Sequence, residues 1–104
     1  MLVDNIYQTI RELEPELSVS RFCTDYLDTS RSYLHNKKTT DREVSTDVLL
    51  TLYGNLKQSA KTFHLLLDDK STSQHWVAHF ERRASVFEDL ASSVLSDLTS
   101  RTLH

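Results

Sequence analysis

Glycine and proline each occur once in this 104-residue chain, as Gly54 and Pro15. A β-sandwich or barrel needs many tight turns, and two turn-forming residues cannot supply them. No glycine-rich phosphate loop can be built either. A single cysteine, Cys23, leaves no partner for an internal disulfide and points to a reducing, cytoplasmic compartment. No apolar run approaches the roughly 18 residues of a membrane span. The opening stretch to Glu14 has neither a basic start nor an apolar block, so no secretory signal is expected there. The length allows one core, and residues 1–104 are expected to form a single domain.

What is present favours helices. Ile6, Ile10 and Leu13 recur at helical spacing, predicting a first helix over Val3–Glu14 that stops at Pro15. Asp4 suits its first turn. Ser18 is a candidate N-cap for a second helix over Val19–Leu27, with Val19, Phe22, Cys23, Tyr26 and Leu27 on its apolar side. Asp28-Thr29-Ser30 reads as a turn. A third helix is expected from Arg31, carrying Tyr33 and Leu34 inward and fraying between Lys37 and Asp41. Ser45 or Thr46 caps a fourth, with Leu49, Leu52, Leu56, Ala60, Phe63 and Leu67 at spacings of 3 and 4. Gly54 inside it suggests a close approach or a mild bend. After the loop Asp68–Ser73, a fifth helix over Gln74–Thr99 carries Val77, Phe80, Ala84, Phe87, Ala91, Val94 and Leu98 in a heptad pattern. The expected fold is an all-α five-helix bundle. Residues 1–67 form its N-terminal part, and residues 74–100 its long C-terminal helix, folded back on the fourth as a hairpin.

Net charge is −3, which opposes nucleic acid as a partner, but its distribution does not. Between Arg31 and Arg42 lie Arg31, Lys37, Lys38 and Arg42 against the single acid Asp41, a local surplus of +3 in an otherwise acidic chain. The plain alternative is a solvated loop with scattered lysines.

The second and third helices have the size of a helix-turn-helix. The stretch Phe22-Cys-Thr-Asp-Tyr-Leu-Asp-Thr-Ser-Arg-Ser-Tyr-Leu34, followed by Asp41-Arg-Glu-Val-Ser-Thr-Asp-Val-Leu-Leu-Thr-Leu52, resembles phage-repressor-like (Xre-type) helix-turn-helix proteins of bacteria and phages. The resemblance covers about residues 19–56. Asp28 stands where such proteins commonly have glycine, Thr24 where they have a small alanine, Thr29 where they have an apolar residue, and Lys37 where they have a late apolar anchor. Aspartate tolerates left-handed backbone better than most residues.

The resemblance implies a transcriptional regulator reading double-stranded DNA. Ser30, Arg31, Ser32, His35, Asn36 and Thr39 would face outward from the third helix. Arginine takes guanine bidentately and asparagine takes adenine. Lys37, Lys38 and Arg42 would neutralise phosphates, with Ser18, Ser20 and Arg21 at the start of the second helix touching the backbone as well. The long fifth helix suggests a homodimer through Trp76, Phe80, Phe87, Leu90, Val94, Leu95 and Leu98, with Leu103 a further candidate. The rival expectation is an adaptor that keeps the helix-turn-helix shape and binds protein instead.

Catalysis, cofactors and metals find no support. His75 and His79 have metal-compatible spacing, but the residues between them lack the glutamate of a zinc-protease helix and no third ligand is near. Asp68-Asp69 lacks the alternating ligands of a calcium loop. Cys23 reads as a small buried hydrophobe.

Overall fold

The computed structural model describes residues 2–39 and 43–102. Among these the chain is all-helical: α1 (Leu2–Leu13), α2 (Val19–Asp25), α3 (Tyr33–Thr39), α4 (Thr46–Asp68) and α5 (Gln74–Thr102).

α1 buries Val3, Ile6, Tyr7 and Ile10 along one face, with Asp4 in its first turn and Arg11 in its last, both favourable to the helix dipole. Past Pro15 the chain turns back. Leu17 enters the core, and its carbonyl accepts the Tyr7 hydroxyl at 3.0 Å. Ser18 caps α2 by accepting the Arg21 N–H at 3.1 Å. Phe22 and Cys23 are buried and Leu27 follows them inward, while Val19, expected on the apolar side, is 42% exposed.

The two long helices form the antiparallel hairpin expected of them. Ser45 caps α4 by accepting the Val48 N–H at 3.3 Å. Leu49, Leu52, Leu56 and Ala60 of α4 face Ala84, Phe87, Ala91, Val94 and Leu98 of α5, and all are buried. Large side chains sit beside small ones, so the helices approach closely. In the connection, the Asp69 carboxylate accepts the Ser71 N–H at 2.9 Å and the Ser71 hydroxyl at 2.8 Å, which hold its pKa below the usual range, the backbone bond leading. Gly54 is no close-approach point: a Cβ built there meets nothing within 4 Å.

A line of ring contacts ties the N-terminal helices to the hairpin. Tyr7 meets Phe22 (5.4 Å between centroids), Phe22 meets Tyr26 (5.6 Å), and Tyr26 meets Phe87 (6.4 Å). Phe87 continues to Phe63 (5.9 Å), Phe63 to Phe80 (6.0 Å), and Phe80 to Trp76 (6.1 Å). Such pairs contribute about 0.5–1.5 kcal/mol each beyond the area they bury. Two polar contacts reinforce the junction. Asn55 Nδ2 donates to the Tyr26 carbonyl at 2.8 Å, and Arg83 Nη2 to the Leu13 carbonyl at 3.1 Å.

Candidate nucleic-acid interface

The α2–α3 connection sets the geometry of the site. α2 stops at Asp25 rather than Leu27, with Tyr26 as its C-cap, and α3 begins at Tyr33 rather than Arg31. Residues 26–32 therefore join the two helices, a longer link than the expected turn of about three or four residues. Asp28 has φ of 53°, the sole positive φ outside glycine among the described residues. The Thr29 N–H and its hydroxyl both reach the Cys23 carbonyl, at 3.0 and 3.1 Å. The left-handed Asp28 lies two residues past the C-cap Tyr26, and the bonds from Thr29 to Cys23 close the turn around it. This arrangement explains the turn chemistry: Asp28 supplies the tolerated left-handed backbone, and Thr29, placed where an apolar residue is common, spends its hydroxyl on capping. The Tyr33 N–H then donates to the Ser30 carbonyl at 3.1 Å, so Arg31 and Ser32 form a turn leading into α3.

α3 is anchored by Leu34, which is buried, and by Tyr33, which is half-buried. Its other side is polar. Ser30, Arg31, Ser32, His35, Asn36, Lys38 and Thr39 are all exposed, as are Ser20 and Arg21 on α2. An open groove between the two helices is lined by Val19, Ser20, Arg31, Ser32, Leu34, His35 and Lys38. Exposed Val19 forms part of its floor. Arg42 lies outside the described residues, as does Leu103.

The cations of this face differ in how they are held. Lys38 Nζ is 3.0 Å from the Asp4 carboxylate of α1, and Arg21 is 3.6 Å from Asp25 one turn along α2. Lys37 is half-buried with its ammonium 5.3 Å from the centre of the Tyr33 ring. Among the described residues the Arg31 and His35 side chains have no hydrogen-bond or ion-pair partner. Asn36 Nδ2 points back along the helix toward Ser32 Oγ at 3.5 Å. Thr24 is exposed and turns its hydroxyl to the Arg21 carbonyl at 3.2 Å, so it does not fill the helix–helix contact; buried Cys23 lies beside it in sequence.

The expected dimer residues fall into two groups. Phe87, Val94 and Leu98 are buried in the chain's own core and offer nothing to a partner. Trp76 and Leu95 are 48% and 47% exposed, and Phe80 and Leu90 are half-buried. The heptad of α5 is thus used mainly within its own hairpin, because α4 presents a matching stripe. His75 and His79 meet Trp76 edge-on, and His79 Nε2 accepts from Arg83 Nε at 2.7 Å.

Two contacts that bear on this face join residues far apart in the chain. Asp4, at the start of α1, holds Lys38. Arg101, at the end of α5, donates to the Val44 carbonyl behind α3 at 2.8 Å. Each is far along the chain from its partner, so only the fold brings them together.

The geometry defines an all-α protein in which two short helices, α2 and α3, joined by residues 26–32, accompany a long helical hairpin. The chain belongs to a family of unknown function, DUF6626, whose pattern matches residues 3–100. No curated protein and no solved structure matches it. Among the described residues no helix is long and apolar enough to cross a membrane.

Proposed function

We propose that this protein is a small cytoplasmic transcriptional regulator that binds duplex DNA through α3. One observation carries the reading: Arg31 and Ser32 in the turn before α3, and His35, Asn36, Lys38 and Thr39 on α3 itself, are all exposed, as is Arg21 on α2. Arg31 reads guanine and Asn36 adenine, each through paired hydrogen bonds to a base edge. Lys37, Lys38, Arg21 and Arg42 supply phosphate contacts, which give affinity without sequence information. The chain acts as a homodimer on a two-fold site, a reading supported by the exposed Trp76 and Leu95 of α5.

A second reading has its own support. The ion pairs of Lys38 with Asp4 and Arg21 with Asp25 neutralise part of the basic face, and the net charge is −3. On that reading the α2–α3 surface docks a protein.

Binding to a random duplex pool over a salt series separates the two. A DNA binder has affinity that falls steeply with salt. From the pool, the parent's preferred site is selected. Arg31→Ala and Asn36→Ala each cost about 1–3 kcal/mol on that site and little on random DNA. Parent-like binding of every duplex by both variants refutes α3 as the reading element. Sedimentation at micromolar concentration tests the dimer, and a concentration-independent 12.1 kDa monomer refutes it.

A further inference from the structure

We infer that Arg101 is a positioning residue for the DNA-reading face, clamping the segment behind α3 to the end of α5. Its guanidinium is committed to that segment on several sides. Nη1 donates to the Val44 carbonyl at 2.8 Å and lies 3.4 Å from the Thr46 hydroxyl, while Nη2 is 3.9 Å from the Glu43 carboxylate. On α5 itself, Nε donates to Asp97 at 3.0 Å, which fixes the direction of the side chain. The Arg101 side chain is only 28% exposed. Leu2 and Val3 of α1, together with buried Val44 and Leu49, line a small cavity that Arg101 also borders.

From there the connection runs to the reading face. The Ser45 N–H, next to Val44, donates to the Tyr33 hydroxyl at 3.3 Å, and Ser45 is also the cap of α4. Tyr33 opens α3 and carries Lys37 over its ring. α3 has seven residues and one buried side chain, Leu34, so it has little packing of its own to hold its angle. A planar donor with several fixed acceptors suits this task, and a lysine cannot reproduce it. The clamp is independent of DNA. Its effect on recognition rests on the proposed role of α3.

The test compares parent, Arg101→Ala and Arg101→Lys as full chains, with two measurements. In amide hydrogen exchange, the Ala variant should raise the rates of Asn36 to Thr39 about tenfold relative to those of Leu56 and Phe87, with the Lys variant in between. In duplex binding, the Ala variant should lose about tenfold on the parent's selected site while random-duplex affinity and salt slope stay unchanged, because Arg101 holds protein groups and not phosphate. A uniform rise across all helices, or no rise in α3, overturns the clamp. A salt slope reduced by about one contact also overturns it, since Arg101 would then be touching DNA. If the parent binds no duplex, the proposed function falls and the exchange pattern alone decides the clamp. If the Ala variant does not fold, the Lys variant is read by the same criteria.

Discussion

Replacing Asp4 by asparagine should make the protein less stable and a better DNA binder at once. The Asp4 carboxylate sits 3.0 Å from Lys38 Nζ, with side-chain exposures of 33% and 59%. At that exposure the pair is worth about 0.2–1 kcal/mol, well below its value in a dry interior. Asp4 also lies in the first turn of α1, where an acid adds about 0.3–1 kcal/mol. The stability loss is therefore about 0.5–2 kcal/mol, measured by urea titration. Binding moves the other way. If Lys38 takes a phosphate, the parent must first give up Asp4, and the variant does not. The pair energy of about 0.2–1 kcal/mol reappears as a gain of roughly 1.5- to 5-fold in affinity for random duplex. Asp4→Asn in combination with Lys38→Met separates the two effects, because the gain in affinity should vanish while the dipole loss remains. An affinity for duplex that is unchanged or lower in Asp4→Asn, with the expected drop in stability, refutes the competition and removes Lys38 from the phosphate contacts.

Three further outcomes follow from the packing. Asp28→Gly should hold or raise stability, by up to about 1 kcal/mol, whereas Asp28→Val should lower it by about 1–2 kcal/mol, since a β-branched residue resists a φ of 53°; thermal midpoints in the reverse order would refute the turn assignment. Gly54→Ala should stabilise α4 by about 0.5–1 kcal/mol, because an added Cβ meets nothing and only backbone entropy changes; a destabilised variant in calorimetry would mean that the position is crowded. Burial raises the Tyr26 phenol pKa far above its usual value, with the Glu14 carboxylate adding to the effect. The unfolded phenol ionises at about 10, so the unfolded chain releases this proton first and stability falls as pH rises past that point; absorbance at alkaline pH should show one tyrosine titrating only with unfolding, and its free titration in the folded protein would refute the burial.

Much of the fold is local and therefore legible in the chain. The five helices, the caps at Ser18 and Ser45, the loop after Asp68 and the α4–α5 hairpin all follow from apolar spacing and from short polar residues beside helix starts. Those signals act within one or two turns of helix, where sequence neighbours are also spatial neighbours. Boundaries around residues 26–32 were less legible. Tyr26 and Leu27 look helical by pattern, yet α2 ends at Asp25: Tyr26 is its cap, the Leu27 N–H reaches back to the Phe22 carbonyl, and the left-handed Asp28 then turns the chain away.

The site divides in the same way. That His35, Asn36 and Lys38 are exposed on α3 follows from their spacing once Leu34 is placed inward, whereas Arg31 lies in the turn before the helix, where helical spacing does not place it. Which of those cations is already occupied does not follow, because Asp4 reaches Lys38 only when the fold brings the start of α1 to the end of α3. The heptad of α5 is ambiguous in the chain, since one stripe serves a hairpin or a dimer equally. Tertiary packing resolves it for Phe87, Val94 and Leu98, which α4 covers, and leaves Trp76 and Leu95 outside. The sequence by itself determines helices, caps and faces, because these depend on contacts a few residues apart. Only the tertiary structure decides the partners of Lys38 and Arg101, because those partners lie tens of residues away and meet through the packing of whole helices.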